Sequence, residues 1–403
     1  MKNIWIINHY ATLEDEPATR SYDFAKKLVE KGYKVTILAS SFSHYRFQEK
    51  KDYCGNNYLF ENHNGIKFIW IKTFPYYRNN WRRVFNMIIF SWRVFCAGKK
   101  LKDNPNIIIG VSVHPLAAFS AYLLAKNKGS RFFLEITDLW PEILIDMGII
   151  SKKNPVVFIL RKLEKFLFGR AEKIITLWPF AYRYIEGLGF SKEKVVWIPH
   201  FVDFSRIKNL EPYDGGINKK HMKFFYFGIH SDYAGLEAII ESASILQKEN
   251  EKRAKFIFVG NGSEKAKLIR MAEKLNLKNV EFLDMIPKTE MHKIMNEADV
   301  FIFTLKNMPL LLKYGISSNK LIDYLAAGRP LIFSANSDNN PVKEAGAGIT
   351  VPAQSPKDFV LAVKNMINLE PSQRIKMGQN AREYAEKHHD LNILVKKLED
   401  LWN

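Results

Sequence analysis

The sequence predicts an α/β protein built from two doubly wound domains, each a largely parallel sheet with helices on both faces. Three observations support this prediction. The chain has 403 residues, more than one hydrophobic core usually fills. Strand-like and helix-like segments alternate along it, and the alternation lapses once, at 200–221, where proline, glycine and charged residues gather as in a linker. We therefore expect domains over 1–203 and 204–380, and a helical tail over 381–403 that could pack back on the first domain.

The first half begins the alternation with apolar strands such as NIWIIN and YKVTILAS. Continuous apolar runs are typical of strands that are buried on both faces of a parallel sheet. Segments of helical length separate these strands. The predicted strands are 3–8, 33–40, 66–74, 106–113, the strand RFFLEIT within 131–142, 173–177 and 194–199, and the predicted helices are 18–31, 80–100, 116–127 and 154–170.

The second half restarts the same alternation with KFFYFGIH after the linker. The following strands are again short and apolar, and helices with charged faces separate them. The last part, 356–403, has helical periodicity only. The predicted strands are 223–230, 254–262, 280–286, 298–305, 330–335 and 348–352, and the predicted helices are 235–249, 264–275, 288–297 and the segment that begins SSNKLIDYLAAG.

Composition and local patterns exclude several classes of protein. The two cysteines, Cys54 and Cys96, lack the spacing of a metal or redox site. The N-terminus lacks the apolar core of a signal peptide, so we expect a cytoplasmic protein. Residues 107–125 carry no charge, but His114-Pro115 lies among them, which favours a strand, a turn and a buried helix over a membrane span.

The net charge of +18 is concentrated in the first half, where residues 1–200 hold 31 Lys and Arg against 17 Asp and Glu. The stretches 76–100 and 151–170 interleave cations with aromatic side chains, as in helices that lie on anionic membranes. A core helix with a solvated charged face is the alternative. No nucleic-acid-binding motif accompanies the charge. The residues expected at the membrane are Arg78, Trp81, Arg82, Arg83, Arg93 and Lys162.

The segment GISSNKLIDYLAAGRPLIFS opens its helix with groups that can hold an anion. Ser317 or Ser318 can cap the helix, whose N-terminus carries free N–H groups and partial positive charge. Lys320 adds a full charge, and Asp323, one turn later, can accept hydrogen bonds from two ribose hydroxyls. A diphosphate joined to a ribose would satisfy both ends; a capped helix with a solvated Lys–Asp pair is the alternative.

Several polar residues follow strands directly, and open α/β sheets bind ligands beyond the carboxyl ends of their strands. His9, His114 and Asp138 each follow a strand of the first half. Asp138 could orient a substrate hydroxyl or cap the turn after it, and each histidine could contact a substrate or be structural. Gly260 and Gly262 end a strand of the second half and would let the backbone approach a ligand.

The order of these motifs resembles that of the family 4 retaining glycosyltransferases, over almost the whole chain. VVWIPHFVDFSRI is similar to a family strand that ends in Pro-Asn-Gly-Val-Asp, and FFYFGIHSDYAGLEAIIESASIL to the glycine-rich entry to the second domain. FIFVGNGSEKAKL and VEFLDMIPKTEMHKIMNEADVFIFTL follow in the family's order. SSNKLIDYLAAGRPLIFS lies where the family has two glutamates eight positions apart. ITDLWPE is similar to a subgroup that builds bacterial O-antigen and capsule polysaccharides.

The resemblance implies the GT-B fold, two Rossmann-like domains facing across a cleft, and transfer of a sugar from a nucleoside diphosphate sugar with retention. A UDP-sugar is the expected donor, and no cofactor or catalytic metal is expected. Asp323 aligns with the second glutamate, which binds the ribose, but Gly315 replaces the first and Ala234 replaces an expected lysine. The expected catalytic residues are Asp138, Lys320 and His114. The expected donor-binding residues are Gly228, His230, Gly260, Gly262, Met285, Ile286, Gly315, Ser317, Ser318, Asn319 and Asp323.

The subgroup also implies an acceptor. Such enzymes extend a polyprenyl-diphosphate-linked glycan, often with an N-acetylated amino sugar, so we expect peripheral binding to the inner face of the cell membrane. Two alternative functions share the fold. One is a sugar-nucleotide 2-epimerase. The other is a non-catalytic sugar-nucleotide-binding subunit, which the residues Gly315 and Ala234 suggest. The residues expected on the acceptor side are His9, Tyr10, Arg20 and Glu142.

Overall fold

The computed structural model describes residues 2–14, 19–44, 46–77, 80–207, 210–217, 219–286 and 290–402. The chain divides into two compact units. The first comprises Met1–Pro199 with Leu394–Asn403, and the second comprises His200–Ile393.

The first unit is an eight-stranded sheet with helices between its strands. The strand order is β10-β9-β8-β7-β1-β2-β6-β5, and β5 alone of these strands runs antiparallel to its neighbour. Its elements are β1 (Asn3–Ile7), α1 (Arg20–Glu30), β2 (Lys34–Ser40), β3 (Phe42–Ser43), β4 (Gln48–Glu49), β5 (Tyr58–His63), β6 (Ile66–Ile71), α2 (Trp81–Lys100), β7 (Ile107–Val111), α3 (Pro115–Lys128), β8 (Arg131–Ile136), α4 (Glu142–Asp146), α5 (Pro155–Arg170), β9 (Lys173–Thr176), α6 (Ala181–Gly187) and β10 (Val195–Trp197).

The second unit is a six-stranded, fully parallel sheet in the order β13-β12-β11-β14-β15-β16. Phe224, Phe256 and Phe258 fill the core on one face of this sheet. Its elements are β11 (Met222–Phe227), α7 (Glu237–Lys248), β12 (Ala254–Val259), α8 (Lys265–Lys274), β13 (Val280–Leu283), α9 (Met291–Glu297), β14 (Val300–Thr304), α10 (Pro309–Tyr314), α11 (Asn319–Ala326), β15 (Leu331–Ser334), α12 (Pro341–Ala345), β16 (Gly348–Val351), α13 (Pro356–Asn368) and α14 (Pro371–His389). The last helix, α15 (Leu391–Glu399), begins in the second unit, and from Leu394 onward it belongs to the first.

The boundaries of the units along the chain differ from those expected after residues 203 and 380. The first unit ends at Pro199, and the chain returns to it at Leu394. Val202 pairs through its backbone with His389 and Leu391, and the His200 carbonyl accepts a hydrogen bond from His389 Nδ1 (2.8 Å). These bonds place 200–203 in the second unit. Helix α14 also stays there because Arg382 Nη1 donates to the Ala326 carbonyl at the end of α11 (2.9 Å). Only the chain from Leu394 onward groups with the first unit.

The predicted series of elements is present, with differences at edges and turns. The predicted strand 66–74 ends at Ile71 and pairs with β5, which the sequence did not indicate because β5 is an edge strand with alternating exposure. The strand RFFLEIT ends at Ile136, before Asp138. The charge-free stretch 107–125 forms β7 and most of α3, as predicted.

Within the described residues, no helix combines the length and the apolar character that crossing a membrane requires.

Candidate functional site

Lys320 lies in the first turn of α11 and folds against the end of β11. Its Nζ donates a hydrogen bond to Tyr226 Oη and lies 4.0 Å from the centroid of the Tyr226 ring. Gly228 leaves the room for this: a Cβ there would lie 2.5 Å from Lys320 Cε. Burial lowers the pKa of the Lys320 ammonium to about 7. Keeping Lys320 charged in the free protein therefore costs free energy, and a bound anion would offset that cost.

Two other lysines at the carboxyl ends of this sheet's strands are neutralised. Lys265 Nζ donates to Asp284 Oδ1 (2.7 Å), and Lys306 Nζ pairs with Asp232. Among the residues that the structure describes, no carboxylate oxygen lies within 4.0 Å of Lys320 Nζ. Of these three lysines, Lys320 is thus the one whose positive charge is available to a ligand.

The N-terminus of α11 leaves its own donors open. Ser318 is the N-cap residue, but its side chain makes no capping hydrogen bond. The Ser317 hydroxyl is buried and has no partner among the described atoms. The sequence predicted that one of these serines would cap the helix; Ser318 does occupy the N-cap position, but no acceptor for the first-turn N–H groups comes from its side chain. Asn319, the first residue of α11, is exposed. Free N–H groups beside a cation suit a phosphate.

Asp323 is half-buried on α11, one turn after Lys320. Gly315 has φ 88° and ψ 174°, a conformation that is essentially restricted to glycine. A glutamate in place of Gly315 would be strained in this conformation. Met285 is 75 % exposed and Ile286 half-buried, both just after β13.

Gly260 and Gly262 allow two loops to pack closely. A Cβ at Gly260 would lie 2.0 Å from the Gly228 carbonyl oxygen, and one at Gly262 would lie 2.3 Å from the His230 carbonyl oxygen. The glycines therefore let the loops after β11 and β12 pack backbone to backbone. The His230 N–H donates to the Asn261 carbonyl across the same contact (2.9 Å).

His230 is fully buried, and the rings of Tyr226, Phe258 and Phe282 surround it. Both of its ring nitrogens lack a hydrogen-bond partner among the described atoms. Burial, together with nearby Lys265 and Lys320, lowers the pKa of His230 to about 4. His230 is therefore neutral at neutral pH and adds no positive charge to the predicted donor site.

In the first unit, the predicted histidines pair with each other. His9 Nδ1 lies 2.8 Å from His114 Nε2, and both side chains are 1 % exposed. His114 Nδ1 accepts a hydrogen bond from the Ala117 N–H and so caps α3. Since both ring nitrogens of His114 are used inside the protein, the structure assigns it a capping role where the sequence predicted a catalytic one. The His9 ring stacks on Phe90 at 4.1 Å, and burial lowers the pKa of both imidazoles.

Arg20 is also engaged inside the protein. Its Nε donates to Glu135 Oε1 (2.6 Å), and its other two nitrogens donate to the carbonyls of Ile198 and Pro199 (2.8 and 2.6 Å). The guanidinium therefore joins α1 and β8 to the segment after β10. This role replaces the acceptor contact that the sequence predicted.

Glu142 and Asp138 differ in their contacts inside the protein. Arg161 donates to Glu142 Oε1 through Nε and Nη2 (2.8 and 2.6 Å), so Glu142 is neutralised by α5. Asp138 is half-buried just after β8, and burial raises the pKa of its carboxyl. Unlike Glu142, Asp138 has no arginine within hydrogen-bond range among the described residues.

A pocket of about 120 Å³ lies where β1 and β2 end. Tyr10 lines it, and the Tyr10 ring stacks on His44 at 5.1 Å. Ser41, Lys51 and Trp70 lie around the same space. Tyr10, one of the predicted acceptor-side residues, thus faces a cavity.

Helices α2 and α5 expose large apolar side chains. Trp81 is 66 % exposed and Trp92 62 % on α2, and Phe158 is 61 % exposed on α5. Helix α3 packs against both. Exposed Arg82 and Lys162 lie over rings of their own helices, whereas Arg83 and Arg93 are half-buried. Arg78 lies outside the described residues.

Three described carboxylates, those of Asp232, Glu237 and Glu264, have oxygens within 4.8 Å of one another. Lys306 pairs with Asp232, and Lys267 with Glu237 and Glu264. These lysines supply the positive charge that the carboxylates need.

The sequence did not single out Tyr226 or Tyr324, which hold Lys320 and α11 against β11. Tyr324 Oη accepts from the Phe227 N–H (2.9 Å) and donates to the Phe227 carbonyl (2.8 Å). One signal was available: Tyr226 lies in a strand of phenylalanines, and a buried phenol needs a polar partner.

Comparison with known proteins yields two family matches in succession. A family described as Glycosyltransferase Family 4 matches residues 18–206, and one described as Glycosyl transferases group 1 matches residues 208–384. The chain is 23 % identical over 312 residues to the putative colanic acid biosynthesis glycosyl transferase WcaI of Escherichia coli (strain K12), with 74 % of each chain covered.

Solved structures agree in fold. Sucrose-phosphate synthase from Thermosynechococcus elongatus superposes with a TM-score of 0.75 at 15 % identity, covering 100 % of this chain and 98 % of that one. Anabaena HepE in complex with UDP superposes with a TM-score of 0.68 at 12 % identity, covering 99 % of both chains. The two parallel-sheet units and the successive family matches lead to one conclusion: the chain belongs to the family 4 glycosyltransferases and has the GT-B fold.

Proposed function

We propose that this glycosyltransferase moves a sugar, an N-acetylated amino sugar by the subgroup resemblance, from a UDP-sugar to a polyprenyl-diphosphate-linked glycan in bacterial surface polysaccharide synthesis. The observation that carries the proposal is Lys320, a lysine without a carboxylate partner among the described residues, at the open N-terminus of α11. The similarity to WcaI, whose name gives colanic acid biosynthesis, supports the pathway. The fold shared with HepE, solved with UDP, supports the donor.

In the proposed donor site, the diphosphate lies against Lys320 and the free N–H groups of α11, and Asp323 accepts hydrogen bonds from the ribose hydroxyls. In the reaction, the acceptor oxygen bonds to the anomeric carbon while the bond from that carbon to the diphosphate breaks. The diphosphate then carries the extra negative charge. Fixed donors aimed at such a developing charge each contribute about 10²–10³ in rate.

On the acceptor side, Asp138 and Tyr10 are the predicted residues that remain open to a ligand. A carboxyl whose pKa is raised by burial can accept the proton of the attacking hydroxyl with more driving force than an exposed one. We assign Asp138 this role, or that of orienting the hydroxyl. Retention at the anomeric carbon remains an expectation from the family.

We further propose that α2 and α5 bind the inner face of the cell membrane peripherally. Trp81, Trp92 and Phe158 are more than half exposed, and Arg82 and Lys162 lie beside them. Aromatic rings prefer the headgroup region, and each well-placed cation adds about 1 kcal/mol at an anionic surface. A lipid-linked acceptor would lie at that surface.

The test is transfer by the purified protein with a panel of UDP-, GDP- and dTDP-sugars, with and without a polyprenyl-diphosphate-linked acceptor. We expect one UDP-sugar to release UDP only when the acceptor is present, and EDTA to leave the rate unchanged. Asp323→Ala should lower the rate by about 10² because the ribose loses the carboxylate that orients it, whereas Asp400→Ala, at an exposed position after α15, should not.

A second candidate function is a non-catalytic sugar-nucleotide-binding subunit. Gly315 and Ala234, which replace two expected polar residues, favour it. Binding of UDP-sugars without release of UDP across the whole acceptor panel would support this candidate and exclude transfer.

A further inference from the structure

Tyr226 connects three pieces of backbone at the proposed donor site. It is fully buried on β11. Its Oη donates to the Ile229 carbonyl in the loop after the strand (2.8 Å) and accepts from Lys320 Nζ on α11. Since Lys320 also lies over the Tyr226 ring, this one side chain contacts the ammonium through both its oxygen and its π face.

The register of α11 against β11 is set separately, by Tyr324. Lys320 and Tyr324 are four residues apart, so they lie on one face of the helix. The Tyr324 phenol bonds to both polar groups of the Phe227 backbone. Tyr324 thus holds the helix to the strand, while Tyr226 holds the Lys320 side chain to the loop. The two phenols therefore allow the two roles to be tested apart.

The chemistry of the partner matters because a phenol is neutral. A carboxylate at the same place would orient Lys320 but also cancel its charge, as Asp284 does for Lys265. Burial raises the pKa of the Tyr226 phenol, which keeps it protonated. Tyr226 can therefore orient the ammonium and leave its full charge for a diphosphate.

The other titratable groups near Lys320 do not compete for it. His230, in the loop after β11, is neutral at pH 7. Lys265, on α8, is held by Asp284 and the Leu283 carbonyl. On α11 itself, Tyr324 is bonded to Phe227, and the lowered pKa of Lys320 comes from burial.

We propose that Tyr226 is a positioning residue, whose neutral phenol holds the Lys320 ammonium over Gly228 so that it meets the β-phosphate of the donor without being neutralised beforehand. The inference rests on the proposed function, since it assumes that a nucleoside diphosphate binds at α11. It predicts that Tyr226 affects the diphosphate part of the ligand and not the nucleoside part.

The experiment compares the dissociation constants of UDP and UMP for the full-length protein by calorimetry at pH 6.5. The ratio of the UDP constant to the UMP constant measures the contribution of the β-phosphate to binding. In Tyr226→Phe, we expect the dissociation constant of UDP relative to that of UMP to rise about tenfold, the size of one charge-assisted hydrogen bond. Tyr324→Phe loosens the whole of α11, so it should weaken the binding of UDP and UMP alike. Tyr22→Phe, which removes a buried, hydrogen-bonded phenol from the first unit, is the matched control and should leave the ratio as in the wild type.

A double-mutant cycle with Lys320→Met tests whether Tyr226 acts through Lys320. If it does, adding Tyr226→Phe to Lys320→Met leaves the UDP-to-UMP ratio unchanged, and this holds even if both variants are less stable. An unchanged ratio in Tyr226→Phe alone, or equal losses in the presence and absence of Lys320, would overturn the inference while leaving the donor site in place. A wild-type protein that binds no UDP would overturn the proposed function and the inference together.

Discussion

At the scale of single residues, the charge of Lys320 depends on pH in the neutral range. Burial without a carboxylate partner lowers the pKa of Lys320 to about 7. Below that pH the free protein already carries the charge that a diphosphate needs. Above it, binding must first bring in a proton, and each pH unit then costs affinity.

We predict that the dissociation constant of UDP rises with pH above about 7, approaching tenfold per unit. Isothermal calorimetry from pH 6 to 9 measures this directly. In Lys320→Met the constant should be larger and nearly flat over the same range. A wild-type profile that matches the Lys320→Met profile in shape would contradict the assignment of the proton to Lys320.

A second prediction at this scale concerns Gly228, whose φ is +136°. Gly228→Ala would place a Cβ 2.5 Å from Lys320 Cε, and the flexible lysine must move away. We expect the affinity for UDP to fall about tenfold while that for UMP changes less, because the displaced group is the cation. Gly129→Ala is the control, since its φ is also positive (+66°) but its Cβ meets open space. Equal losses for UDP and UMP would speak against a displaced cation.

At the scale of elements, α2 and α5 carry the proposed membrane surface on the first unit. Their exposed rings are on helices whose other faces are buried, for example at Phe90 and Phe168. Helix α2 also has an ordinary core-facing side, so the solvated-face alternative concerns only its outer surface. The exposed tryptophans favour the membrane surface, because a face that contacts only water gains nothing from large exposed apolar rings.

We predict that Trp81→Ala combined with Trp92→Ala reduces binding to vesicles of phosphatidylglycerol and phosphatidylethanolamine by more than tenfold, as expected from two interfacial aromatic anchors. Cosedimentation measures the bound fraction. Phe60→Ala is a suitable control, because Phe60 is 52 % exposed on the edge strand β5. The same bound fraction for the double variant and the wild type would exclude this surface.

Helix packing in the second unit gives another prediction. Gly378 on α14 lies so close to the end of α11 that a Cβ would be 2.4 Å from the Gly328 carbonyl oxygen. Gly378→Ala should lower the free energy of unfolding by about 1–3 kcal/mol, because backbone must move to admit the methyl group. Gly187→Ala on α6, where nothing lies within 4 Å, should not destabilise. Urea unfolding of both variants checks this, and equal midpoints would contradict the packing.

At the scale of the whole molecule, buried neutral histidines link stability to pH. Burial lowers the pKa of His114 to about 3 and of His230 to about 4, against 6.5 when exposed. As the pH falls below 6.5, these histidines bind protons in the unfolded chain before they do so in the folded protein. The free energy of unfolding therefore decreases until the pH reaches the folded-state pKa values. The raised pKa of Glu164, about 8, acts in the opposite sense between pH 8 and 4.5.

We predict that His114→Asn, whose amide can still cap α3, reduces the slope of unfolding free energy against pH between 6 and 4.5. The reduction should be about 1.4 kcal/mol per pH unit, the contribution of one proton. Urea titrations across this range measure the slope. Asn392→Ala, at an exposed position of α15, changes no titratable group and should keep the wild-type slope. If His114→Asn keeps it too, the imidazole is not held neutral.

Much of the fold could be predicted from the sequence, because sheet strands and helices follow from apolar periodicity within a few residues. The antiparallel edge strand β5 was missed, since half-exposed residues such as Phe60 do not form an apolar run. Likewise, the site could be placed at α11 from Ser318, Lys320 and Asp323, which are close in the chain. The order of motifs along the sequence also indicated the family that the comparisons bear out.

The sequence by itself determined the alternating elements, the break between two units, the replacement of the motif's first glutamate by Gly315 and the cation at the start of α11. The tertiary structure alone decided which polar groups are used up inside the protein. Lys320 and Tyr226 are 94 residues apart, and His9 and His114 are 105 apart. Such pairs form only when strand order brings distant loops to one edge of a sheet, and burial there shifts the pKa values that set which groups stay charged for a ligand.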